Sequence, residues 1–142
     1  MAVIKEKKII IISVIENLDK NGIPEGEPEK TETVADGFFK ISDDSFIIMY
    51  SEQSEGGKIV SDIEITKDSV SVKRRGGLES NLLFTEGETN KSLYTVPPYS
   101  FDVEIFTKKI RNNLTRDGGR LDIFYKMSIG GQDKNVRMKI EI

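Results

Sequence analysis

Apolar residues recur at every second position through most of this chain, and the alternating runs are separated by short glycine-bearing or polar breaks. Only an extended strand turns every second side chain to the same face, so the pattern dictates antiparallel sheet. Four of the breaks are Gly-Gly pairs, at Gly56-Gly57, Gly76-Gly77, Gly118-Gly119 and Gly130-Gly131. Strands are expected over roughly 3-17, 31-42, 45-52, 58-66, 69-75, 80-86, 91-96, 99-111, 119-129 and 132-142, with no helix. The stretch 19-30 sets Gly22, Pro24, Gly26 and Pro28 among acids and reads as a flexible surface loop.

Neighbouring strands must agree on which face is inside, because a one-residue slip turns every side chain over. A two-residue turn at Lys67-Asp68 sets Ile65 opposite Val70 and Ile63 opposite Val72, with Asp62 opposite Lys73 on the other face. A turn at Gly130-Gly131 sets Tyr125 opposite Val136, Ile123 opposite Met138 and Leu121 opposite Ile140. Its outer face then pairs Asp122 with Lys139 and Arg120 with Glu141. A turn at Asp43-Asp44 brings Ile41 opposite Phe46 and Phe39 opposite Ile48.

With 142 residues and 16.0 kDa the chain fits a single domain, 1-142. About ten meandering strands in one small domain either split into a sandwich or close on themselves, and closure removes exposed edges. The expected fold is all-β, a single antiparallel, meandering, closed barrel of about 8-10 strands. The interior of such a barrel is either filled by side chains or holds one small ligand.

Composition excludes much chemistry. Cysteine and histidine are absent, which removes disulfides, thiolate nucleophiles, Ser-His-Asp triads, Cys/His zinc sites and imidazole catalysis. The net charge of −3 is spread over 21 basic and 24 acidic residues, which argues against nucleic acid as a partner. The start, Lys5 to Lys8 followed by four isoleucines, has the outline of a signal peptide, but Glu16 ends the apolar run and no cleavage site follows. No stretch reaches the ~20 apolar residues of a membrane helix. A cytoplasmic location, no membrane association and no cofactor are expected. Asp19, Asn21 and Gly22 open like a calcium loop, yet the later ligands fail to follow, so no metal site is expected.

A set of spaced residues carries a resemblance. It runs from Ile63, Ile65, Thr66, Asp68, Val70, Val72, Arg74 and Gly76, through Phe84, Gly87, Tyr94, Pro98 and Tyr99, to Phe101, Thr107, Gly119, Leu121, Ile123, Tyr125 and Met127. With these the chain resembles the YwiB-like family of small bacterial proteins. The resemblance implies a calycin-type, lipocalin-like β-barrel and a bacterial origin, and it implies no catalytic residue. Pro97-Pro98 followed by Tyr99-Ser100 departs from the single proline and the glycine expected in that family.

Arg74 shares its phase with Ile63, Ile65, Val70 and Val72 and is expected to point into or near the barrel mouth, opposite Ser61. A buried guanidinium needs a partner, and its fork of donors suits a carboxylate or phosphate. The plainer alternative is an arginine that ends its strand, lays its stem on apolar surface and keeps its head in water or on a protein carboxylate. Tyr125 is inward by its phase with Leu121 and Ile123, and Thr107 by its phase with Val103 and Ile105. Tyr50 and Tyr94 offer further hydroxyls, although a core tyrosine bonded to a backbone carbonyl is the ordinary case. Arg74, Tyr125, Thr107, Tyr50 and Tyr94 are therefore the candidate ligand-binding residues.

Phe106 and Phe124 fall on the outer face and are expected to pair if the hairpin turns around Thr115, which also brings Lys108 opposite Asp122. They could serve as a homodimer surface. The reading this supports is a non-enzymatic barrel that binds a small apolar or anionic ligand. The alternative is an interaction or self-associating module that uses the outer apolar wall. An enzyme would need carboxylate, lysine or tyrosine chemistry that no spacing brings together.

Overall fold

Alternation becomes geometry in the computed structural model, which describes residues 2–142 as ten antiparallel strands. In chain order these are β1 (Val3–Asn17), β2 (Glu29–Ile41), β3 (Phe46–Ser54), β4 (Gly57–Ile65), β5 (Val70–Gly76), β6 (Glu79–Phe84), β7 (Thr89–Val96), β8 (Tyr99–Thr115), β9 (Gly118–Ile129) and β10 (Gln132–Glu141). Each strand pairs with its successor, and β1 closes the ring on β10. The long isoleucine-rich first strand is thus the closing stave between β2 and β10.

The three hairpin registers read from the sequence hold at every named pair: Ile65 with Val70, Tyr125 with Val136, and Ile41 with Phe46. At one of these two-residue turns Gly130 and Gly131 take φ of 58° and 78°, the left-handed region of a type I′ turn, while no residue of the turns at Asp43-Asp44 and Lys67-Asp68 has positive φ. Charge pairing on the outer wall is more diagonal than expected. Asp62 lies opposite Lys73 but accepts from Arg75 Nη2 at 3.0 Å. Asp122 lies opposite Lys139 yet accepts from Arg120 Nε at 2.8 Å and sits 3.5 Å from Arg137 Nη2.

One register differs from the sequence reading. Phe106 lies opposite Lys126, and Phe124 lies opposite Lys109, so the two rings do not pair. Arg111 takes the place expected of Lys108 opposite Asp122. The position of the turn sets the shift, and a bulge offsets it by one residue at Phe106. β8 runs on to Thr115, whose hydroxyl donates to the Gly118 carbonyl at 3.0 Å and sets the turn at Arg116-Asp117. A bulge between Thr107 and Lys109 then inserts one extra residue. Phe124 ends half-buried, with the guanidinium carbons of Arg111 and Arg137 at 5.6 and 5.1 Å from its ring centre.

The turns at Asp43-Asp44 and Lys67-Asp68 lie at one end of the barrel, here the floor end, with both chain termini. Gly130-Gly131, Pro97-Pro98 and the segment 18–28 lie at the other, the mouth end. Inward side chains fill the floor end: Phe39, Phe84, Ile48, Ile63, Leu121 and Ile123 are fully buried there. Each contributes about 1.5–3 kcal/mol by leaving water, and together they hold the staves in register. At the mouth end, residues 20–28 are all exposed, while the backbone is tied by Asp19 N to Ile23 O at 2.9 Å and Glu25 N to Asn17 O at 2.8 Å. Residues 29 and 30, expected in the loop, already belong to β2. Among the described residues no helix is long and apolar enough to cross a membrane.

Candidate functional site

Strand alternation turns Arg74 inward with Val70 and Val72, and its cross-strand neighbours are Ser61 on β4 and Ser80 on β6. The register carries the row further on both sides, from Ser61 to Tyr50 on β3 and from Ser80 to Tyr94 on β7. A polar rung, Tyr50-Ser61-Arg74-Ser80-Tyr94, therefore crosses five adjacent staves above the apolar floor. The two serines are small enough to leave space beside a guanidinium. Beyond Tyr50 the rung meets Gly37, where a Cβ would fall 2.3 Å from the Met49 carbonyl oxygen and 2.4 Å from Ile9 Cδ1. Only glycine fits at that close approach.

Beside this rung lies a cavity of about 450 Å³. Val72, Leu82 and Phe84 form its apolar base, and Phe84 packs on Tyr125 with ring centres 4.7 Å apart. Arg74, Tyr94 and Tyr125 line the wall, and Thr31, Ile129 and Lys134 line it near the mouth-end turns. The volume is that of a pocket for a small molecule. Its wall carries two cations, Arg74 and Lys134, and no carboxylate, although the chain as a whole is acidic by −3.

Satisfaction of polar groups fails at this rung and nearly nowhere else. Arg74 Nε is buried without a hydrogen-bond partner, as are Ser61 Oγ, Ser80 Oγ and Thr107 Oγ1. Among the described residues no ion pair reaches Arg74. Arg74 is half-buried and only its Nε is a buried, unpartnered atom. The arginine is not paired with a protein carboxylate, which was one form of the plainer alternative, while the form that keeps its head in water stands. A buried polar group left unpaired costs about 1–3 kcal/mol, and a guanidinium cannot escape by losing its proton. Burial pushes the Tyr125 phenol up to about 12; the nearby Arg74 charge opposes this in part and Tyr94 adds to it. Tyr125 is therefore a neutral hydroxyl at any physiological pH, able to donate a hydrogen bond and unable to serve as a base.

Of the five residues singled out from the sequence, Arg74, Tyr94 and Tyr125 line the cavity together. Tyr50 is buried in the same rung but does not line it, and Thr107, fully buried opposite Tyr125, lies outside the lining. Lys134 was missed. The signal was present, because extending the Gly130-Gly131 register by one more inward pair beyond Tyr125 and Val136 sets Lys134 opposite Met127. Asp19, which opened the calcium-like segment, accepts from Asn21 N at 2.8 Å and Ile23 N at 3.0 Å and so serves the turn. Among the described residues no group of three acidic side chains is placed to hold a metal.

Residues 16–142 match the family described as a domain of unknown function, DUF1934. The uncharacterized beta-barrel protein YwiB of Bacillus subtilis strain 168 is 24% identical over 112 residues, 79% of each chain. The crystal structure of the YwiB protein from Bacillus subtilis is similar with a TM-score of 0.77 at 24% identity, over 97% of this chain and 94% of that one, and it has the same fold. The chain belongs to the DUF1934 family.

Proposed function

We propose that this member of the DUF1934 family binds a small, partly apolar anion in its barrel, with the acidic group received by Arg74. One observation carries the reading: Arg74 Nε is buried without a partner at the wall of a cavity that contains no carboxylate. A carboxylate or phosphate oxygen supplies the acceptor that the guanidinium lacks, and the orphaned Ser61 and Ser80 hydroxyls flank it. The neutral Tyr125 hydroxyl adds a donor, and Phe84, Leu82 and Val72 offer an apolar base. A ligand of this kind offsets the desolvation of Arg74 Nε, so its affinity is concentrated at the arginine.

Calorimetric titration with octanoate, octyl phosphate and uncharged octanol tests this. At least one of the two anions is expected to bind, and octanol at least about tenfold more weakly, since a charge-assisted pair contributes more than 1.4 kcal/mol. Arg74→Met should erase the difference while the protein stays folded. The reading is lost if neither anion binds at millimolar concentration, or if the variant binds them as the parent does.

A further inference from the structure

The barrel places a second, unpaired cation across the lumen from the first. β5 and β10 are five staves apart in either direction around the ten-membered ring, so they face each other. Arg74 enters the cavity from β5 and Lys134 from β10. Lys134 is half-buried, inward by its phase with Val136, Met138 and Ile140, and lies between Asn17 and Met127 in the sheet, neither of which is charged. Among the described residues it forms no ion pair, whereas Lys126 and Lys139, the outward lysines of the same hairpin, pair with Asp133 and Glu141. Of the carboxylates with inward phase near the mouth, Glu52 on β3 accepts from Thr33 Oγ1 at 3.5 Å, and Glu29 on β2, opposite Ile15, is exposed and forms no ion pair among the described residues.

We propose that the ligand is a dianion whose two acidic groups are separated by an apolar spacer, one group on Arg74 and the other on Lys134 nearer the mouth. The inference rests on the ligand-binding reading above and narrows it. A monoanion would satisfy Arg74 and leave Lys134 facing an apolar tail; a dianion satisfies both, with its spacer along Tyr125, Met127 and Met138. The planar fork of Arg74 fixes the orientation of the deep group, and the flexible ammonium of Lys134 tolerates variation in length at the other end.

The test is a calorimetric comparison of octanoate with the straight-chain hexane, octane and decane dicarboxylates. The best diacid should bind at least about tenfold more tightly than octanoate, corresponding to one further charge-assisted contact. Lys134→Met and, as a more hydrated replacement, Lys134→Gln should each remove that advantage, so that the best diacid binds within about twofold of octanoate on the same variant. The inference is overturned if no diacid exceeds octanoate, or if both variants weaken the two classes equally. Octanoate binding that depends on Arg74, with no diacid exceeding it, would leave the earlier reading standing and remove only this one. Failure of every acid would remove both.

Discussion

The two ends of the lumen are built from the same ten staves and solve opposite problems. At the floor end the inward positions are Phe, Ile, Leu and Val, so side-chain volume fills the tube and the packing supplies stability. Toward the mouth end the inward positions become Tyr50, Ser61, Arg74, Ser80 and Tyr94, smaller or polar, and a cavity remains. A ten-stave ring encloses more space than two serines per rung can fill. One end therefore holds the barrel together, while the other carries unsatisfied groups at a cost in stability. Such a division fits the binding role proposed above.

Substitutions that act oppositely on stability at the two ends would sharpen this contrast. The largest effect is expected at the floor. Phe84→Ala removes a fully buried ring packed on Tyr125 and should cost about 3–5 kcal/mol in urea unfolding. A loss below 1 kcal/mol, by the same principle, would mean that the floor is loosely packed and the contrast false.

The next effect is a pH dependence that begins at the boundary between the two ends. Tyr125 ionises at 10.0 in an ordinary setting and at about 12 in the fold. Between those values the unfolded chain releases a proton that the folded protein retains, so the unfolded state is favoured as pH rises. Stability from this residue is intact below pH 10 and falls by about 3 kcal/mol as the pH climbs to about 12. Comparing urea midpoints of the parent and Tyr125→Phe at pH 9 and 11.5 isolates the residue. The decline should be shallower in the variant, and equal slopes would show that the phenol is hydrated.

The smallest effect has the opposite sign. Arg74→Met replaces a buried, unpaired donor by an apolar side chain of similar reach and should stabilise the ligand-free protein by about 1–2 kcal/mol. Destabilisation would reveal a partner for the guanidinium and dissolve the distinction between the ends.

Much of this was legible in the order of residues. Alternation set the strands, and three turns with unambiguous chemistry set three registers, because one face of each hairpin must be apolar. Arg74 could be placed inward because it continues the phase of Val70 and Val72. Lys134 obeys the same rule on β10, although lysine beside a hairpin turn is ordinarily solvated. The Phe106 and Phe124 pairing failed for a different reason. The turn lies at Arg116-Asp117 and not around Thr115, and the bulge shifts the inward phase of β8 from Val103, Ile105 and Thr107 to Ile110 and Leu114, a break in alternation that a single-phase reading of the strand overlooks.

Local chemistry, then, determined the strands, their turns and which face of each is dry, since backbone alternation and turn geometry act over a few residues at a time. The closure of β1 on β10, the orphaned state of Arg74 and the facing of Arg74 and Lys134 across one cavity were decided only by the assembled ring. Those properties depend on the number of staves and on what stands opposite in space, and residues sixty positions apart acquire that relation only when the sheet curls shut.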